Sequence, residues 1–228
     1  MNDAAPQGGM RVGLFGGTFN PVHFGHLRSA EVVREAFGLD RVYFVPAARP
    51  PHKEGEDIAP ARHRLRMVEL AVAGNPFFAV SAVELEREGK SYSVDTIRHF
   101  LAALRPAALF FILGIDAFRE IHTWKDYAAI PTLCHVIVTS RPGTAMPWGE
   151  AFLPVALRGA FWYDPVSNAY RHETGHTVVP YEIEGLNISA SAIREKARHN
   201  KSVRYLVPAS VESYMAEHAL YQPRGSLR

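Results

Sequence analysis

The chain contains one cysteine, Cys134, among 228 residues. An intramolecular disulfide is therefore impossible, and a zinc site built from several cysteines is excluded. No stretch approaches the ~18 consecutive apolar residues of a membrane-spanning helix. Charge of one sign is not in excess, since Lys+Arg 25 against Asp+Glu 23 leaves +2. That balance argues against a polybasic nucleic-acid or membrane binder. Residues 1–10 lack the basic and apolar regions of a signal peptide, so a cytoplasmic protein is expected, with residues 1–9 as a flexible tail. No Gly-Lys-Ser/Thr follows the glycines near the N-terminus, which excludes a P-loop. No third glycine completes a dinucleotide fingerprint either.

What is present is ordinary globular material, 47% hydrophobic and 21% charged, together with 11 histidines. The length suits one domain, residues 10–228, with an insertion at about 142–180. Short apolar runs alternate with amphipathic segments. Val12 to Phe15, Val42 to Val45, Phe77 to Val80, Ala82 to Leu85, Leu109 to Leu113 and His135 to Thr139 read as strands. Phe24 to Phe37, Ala61 to Ala73 and Ser93 to Leu104 read as helices, and Ser189 to Arg198 and Pro208 to Glu217 as two closing helices. Strand, crossover helix and strand in repetition imply an α/β fold, doubly wound on a mostly parallel sheet. The stretch from Pro142 to Pro180 is rich in Gly, Pro, Trp and Tyr with weak periodicity.

The most informative segment runs from Gly16 to His26, Gly-Gly-Thr-Phe-Asn-Pro-Val-His-Phe-Gly-His. It sits where a strand gives way to a helix, the place where doubly wound sheets bind ligands. Gly16 and Gly17 let the backbone approach an anion, and the helix start offers free N–H groups. His23 and His26 share the first helical turn, where imidazoles can donate to phosphate oxygens and, if protonated, add charge. Pro50-Pro51-His52-Lys53 presents two potential cations to a second phosphate, or is a solvated basic turn. Ser93 stands at a helix start as a natural N-cap. Gly114 and Asp116 follow a strand, where Asp can accept from ribose hydroxyls or cap the next helix. Trp124 can stack on a flat heteroaromatic ring or belong to the core. Ser189 or Ser191 can cap a helix whose start, with Arg194, makes a second anion site.

The Gly16 to His26 segment resembles the GGTFDPxHxGH signature of the nucleotidyltransferase superfamily. Within it the chain is similar to the bacterial nicotinate-nucleotide adenylyltransferases. Asn20 stands where that signature has Asp, which keeps a turn-forming acceptor but not a charge. The resemblance implies a Rossmann-like topology closed by C-terminal helices. It implies transfer of the adenylyl group of ATP to nicotinate mononucleotide, with deamido-NAD and pyrophosphate as products and Mg²⁺ bound mainly through ATP phosphates. ATP contacts carried over are Gly16, Gly17, His23, His26, Gly114, Asp116, Ile188, Ser189 and Arg194. Mononucleotide contacts are Thr18, His52, Lys53, Ser93, Trp124 and Arg141. His23, His26, Thr18 and Arg194 would carry the chemistry. The alternatives are another phosphate acceptor, such as nicotinamide mononucleotide, or a nucleotide-binding regulator without catalysis. No nucleic-acid or membrane partner is expected, and the chain would be a monomer or homodimer.

Overall fold

In the central strand of this protein, every residue from Leu109 to Leu113 is buried. A strand buried on both faces needs helices on both sides, and the alternation of its side chains sorts them. Leu109, Phe111 and Leu113 point into one core cluster, while Phe110 and Ile112 point into the other. The architecture comes from a computed structural model, which describes residues 9–49, 58–140, 146, 149, 152–184 and 186–222.

The strands are β1 (Arg11–Gly17), β2 (Arg41–Pro46), β3 (Phe78–Val80), β4 (Ala108–Gly114), β5 (His135–Thr139), β6 (Trp162–Asp164), β7 (Ala169–Arg171) and β8 (Thr177–Tyr181). They form one sheet in the order β3-β2-β1-β4-β5-β8-β7-β6. Pairing is parallel from β3 through β8 and antiparallel at β7 and β6. β1 pairs with both β2 and β4, so the chain reverses its direction of winding there. A ligand crevice is expected at the carboxyl ends of such a strand pair.

The helices are α1 (Phe24–Ala36), α2 (Ala61–Val72), α3 (Val83–Glu86), α4 (Ser93–Leu104), α5 (Ile115–Arg119), α6 (Ile130–Leu133), α7 (Ala190–Arg198) and α8 (Ala209–Glu217). Residues of α4, α5 and α6 fill the first cluster, and those of α1, α2, α7 and α8 fill the second. In α1 the stripe of Ala30 and Val33 is buried, and Gly38, at φ +57°, takes the left-handed turn that ends it.

Two sequence expectations are corrected. Ala82 to Leu85 is not strand: Val83 opens the single turn of α3. Ser93 is not the cap of α4 but its first residue, and Tyr92 is the cap, without a side-chain bond. The stretch 142–180 carries β6, β7 and most of β8, so it widens the sheet. Among the described residues no helix is long and apolar enough to cross a membrane.

Candidate active site

At the carboxyl ends of β1 and β4 the sheet opens into a cleft of about 440 Å³. Gly16, Gly17, Thr18, Ser93, Gly114, Asp116 and Trp124 all line it, so seven residues from three distant regions of the sequence, 16–18, 93 and 114–124, meet there. Trp124 is half-buried, with its ring edge-on to Phe111 at 6.3 Å. Ser93 sits at the positive end of α4. Lys125 lies over the Tyr92 ring at 4.9 Å and pairs with Asp95 at 2.9 Å, which closes the rim.

His23, His26, Ile188, Ser189 and Arg194 do not line this cleft but gather beside it. The two imidazoles are stacked, with centroids 3.6 Å apart. Phe15, which lines the cleft, reaches the His26 ring at 6.3 Å, and Phe19 reaches it at 5.1 Å. Phe19 holds the left-handed φ of +47°, fixed by its packing on Phe15 and Phe44. The start of α7 lies against the start of α1. Ser189 caps α7 by accepting from the Ala192 N–H at 3.2 Å. Arg194 Nη1 donates to the Asn20 carbonyl at 2.9 Å. Asn20 is itself buried, and its Oδ1 accepts from Ala59 N–H at 3.0 Å and Tyr221 O–H at 2.7 Å. The amide thus serves as a turn anchor, a role that does not need the charge of Asp. His52, Lys53 and Arg141 lie outside the described residues.

The sequence left open whether the imidazoles carry charge. Burial lowers the pKa of His23 to about 4. Burial first, then the neighbouring His23, pulls His26 well below the usual histidine value. Both are therefore neutral near pH 7 in the free protein. The Nδ1 of His26 accepts from the His23 backbone N–H at 3.3 Å. That bond leaves the proton on Nε2, as a donor for a ligand oxygen. His23 Nδ1 is buried without a partner among the described residues.

A depressed histidine pKa also sets a pH dependence. The unfolded chain takes up the proton near 6.5 and the folded one only near 4, so folding is opposed as the pH falls through that window. His135, lowered to about 4 chiefly by burial, acts in the same sense. Unfolding free energy should be flat above pH 7 and fall between pH 6.5 and 4, by up to about 1.4 kcal/mol per pH unit for each proton taken up on unfolding, and the melting temperature should fall with it. A melting temperature that rises on acidification would contradict neutral imidazoles.

Gly25 is the tight point of the site. A Cβ there would lie 3.0 Å from His23 Nδ1, 3.1 Å from His23 Cε1 and 3.5 Å from the Ile188 carbonyl oxygen. Gly25→Ala should raise helix propensity by ~1 kcal/mol yet displace the His23 ring. We expect turnover to drop roughly tenfold or more with no matching loss in the thermal melt. Unchanged turnover would mean that the imidazole stack is not functional.

Sequence reasoning missed Glu84 and Arg64. Glu84 lines the cleft although it is 7% exposed, and Thr96 Oγ1 donates to it at 2.6 Å. Burial pushes its carboxyl pKa up, against the hydroxyls of Thr96 and Ser91. Arg64 was visible in principle, as a lone cation on the face of α2 that carries Met67, Val68 and Val72.

Comparison with known proteins places the chain. The cytidylyltransferase-like family model matches residues 14–196. A probable nicotinate-nucleotide adenylyltransferase of Geobacter sp. (strain M21) is 49% identical over 214 residues, covering 93% of this chain and 98% of the relative. A protein of the same description from Geobacter sulfurreducens (strain ATCC 51573 / DSM 12127 / PCA) is 48% identical over 218 residues, covering 95% and 100%. The solved nicotinic acid mononucleotide adenylyltransferase of Plasmodium falciparum, complexed with NaAD, is similar with a TM-score of 0.69 at 14% identity, covering 93% of this chain and 97% of that one. The last likeness concerns the fold, whereas the Geobacter relatives and the family model concern descent. The chain belongs to the cytidylyltransferase-like family and, within it, to the nicotinate-nucleotide adenylyltransferases.

Proposed function

We propose that this protein transfers the adenylyl group of ATP to nicotinate mononucleotide, forming deamido-NAD and pyrophosphate. The observation that carries the reading is the pairing of two sites at one strand end. A cleft with an aromatic wall and a helix start abuts a pair of neutral imidazoles backed by a second helix start and an arginine. The first suits a pyridine ring and the second a polyphosphate.

The bond that forms joins a phosphate oxygen of the mononucleotide to the α-phosphorus of ATP. The bond that breaks joins that phosphorus to the bridging oxygen of the leaving pyrophosphate. A phosphate nucleophile is already ionised near pH 7, so neither histidine is needed as a base. Catalysis then rests on positioning and on donors aimed at the charge of the transition state. His26 Nε2–H and His23 would face the α/β-phosphates, with Gly16, Gly17 and Thr18 at the transferred group. Ser189, the Ile188 backbone and Arg194 would hold the departing pyrophosphate. Gly114 and Asp116 would meet the adenosine. Trp124 would stack on the pyridine ring, and the start of α4 at Ser93 would favour its carboxylate.

His52, Lys53 and Arg141 would bind the mononucleotide. Lys53→Ala should therefore raise the KM for mononucleotide more than that for ATP in steady-state assays; the opposite order would reverse the assignment. Among the described residues no three His, Cys, Asp or Glu side chains cluster to hold a metal. Mg²⁺ would enter as part of the MgATP substrate, held through phosphate oxygens and water. A cytoplasmic location and a monomer or homodimer complete the reading.

The deciding experiment measures pyrophosphate released from ATP with nicotinate mononucleotide, nicotinamide mononucleotide or phosphopantetheine as acceptor. The fastest release should come with nicotinate mononucleotide. A faster rate with another acceptor would replace the substrate, and no release with any would leave nucleotide binding without catalysis.

A further inference from the structure

Arg64 is 1% exposed, which is rare for a guanidinium. All three of its nitrogens donate to backbone carbonyls. Nε reaches Ala59 at 2.9 Å, Nη1 reaches Thr18 at 2.8 Å, and Nη2 reaches Ala48 at 3.1 Å. These acceptors belong to three separate pieces of chain: the turn after β1, the segment leaving β2 and the approach to α2. Ala48 is gripped from its other side as well, since its N–H donates to Ser91 Oγ at 2.9 Å, with the Arg49 N–H at 3.3 Å. Thr18, Ala47 and Ser91 all line the cleft. In sequence, Ala48 and Ala59 bracket His52 and Lys53.

A planar fork with fixed donor directions can hold three carbonyls in one geometry, and a flexible ammonium cannot. Burying a cation whose direct hydrogen-bond acceptors are neutral carbonyls is costly, and the attraction of the nearby Glu84 carboxylate does not outweigh the desolvation. That cost is offset where a positive charge is useful. Here the charge lies one hydrogen bond behind Thr18, at the junction of the two half-sites, where two anionic phosphates must approach each other.

We propose that Arg64 is a positioning residue for adenylyl transfer. It fixes Thr18 and the Ala47–Ala48 wall relative to one another, and so sets where the mononucleotide phosphate meets the α-phosphorus of ATP. The proposal rests on the adenylyl-transfer reading above. It touches no substrate directly and acts through the backbone it holds.

The test compares the full-length wild type with Arg64→Lys and Arg64→Ala. Kinetics for both substrates are normalised to the folded fraction seen by circular dichroism, and nicotinate mononucleotide affinity is measured by calorimetry. Arg64→Lys keeps the charge and loses the fork. Its turnover per folded molecule should fall on the order of tenfold to a hundredfold. Its KM for mononucleotide should rise more than its KM for ATP, and the calorimetric Kd should weaken in step. Methylguanidinium should restore part of the activity of Arg64→Ala. A folded Arg64→Lys with unchanged turnover and mononucleotide affinity overturns the proposal. So does a loss explained entirely by the unfolded fraction. Wild type that releases no pyrophosphate would instead refute the adenylyl-transfer reading, and the calorimetric comparison would still judge Arg64.

Discussion

His26→Ala should lower kcat by ~10²-fold or more, about 2.7 kcal/mol of transition-state stabilisation, as expected for removal of one preorganised donor. The effect is large because His26 is committed before substrate arrives. Its Nδ1 is engaged by the His23 backbone N–H, and burial with the neighbouring His23 keeps the ring neutral. The Nε2–H is then a fixed donor that needs no reorganisation in the transition state. The substitution also has a structural cost of similar size, so turnover is compared per folded molecule. It removes a stacking contact with His23 and edge contacts with Phe15 and Phe19, each ~1 kcal/mol. His26→Gln, which places an amide N–H near the same position, should fall between wild type and alanine. Steady-state kinetics beside thermal melts check this, and unchanged turnover in folded His26→Ala would discard the role.

Arg194→Ala should raise the KM for ATP more than that for mononucleotide and lower kcat/KM for ATP by ~10²-fold. Arg194 ties α7 to the substrate turn through the Asn20 carbonyl, and its Nε is buried without a partner among the described residues. A guanidinium with a donor still unused, beside a capped helix start, is a natural seat for the leaving pyrophosphate. Added pyrophosphate should accordingly inhibit the variant less than the wild type. Arg194→Lys should recover only part of the loss, since an ammonium cannot both hold Asn20 and fork onto a phosphate. If the mononucleotide KM moved instead, Arg194 would belong to the other half of the site.

The buried strands were legible because their signal is continuous. β4 and β5 are apolar on both faces, and β5 was read to the residue. Ala82 to Leu85 reads as a strand from a short apolar run, but it forms a single helical turn in which Glu84 is buried and hydrogen-bonded to Thr96. Ser93 stands one position inside α4 with Tyr92 as the cap, while Ser91 spends its hydroxyl on Ala48 and Arg49 in the segment leaving β2, a contact that spacing does not show. The weak pattern of 142–180 reflects three-residue strands at the edge of the sheet, too short to show a period.

The substrate turn was legible in its residue types but not in its supports. Glycines and histidines at a strand-to-helix junction announce an anion site. Tyr221, 201 residues from Asn20, and Arg64, 46 residues from Thr18, are brought there only by folding. The charge state of His23 and His26 was likewise undecidable from spacing, because it depends on how deeply the rings are buried.

The most direct measurement is a crystal structure of the full chain with a non-hydrolysable ATP analogue and nicotinate mononucleotide. The polyphosphate should lie within hydrogen-bond distance of His26 Nε2 and the start of α7, with the pyridine ring against Trp124 and the mononucleotide phosphate beside Thr18. A polyphosphate bound away from the two imidazoles, or a pyridine ring outside the cleft between β1 and β4, would contradict the convergence of the two half-sites on Thr18.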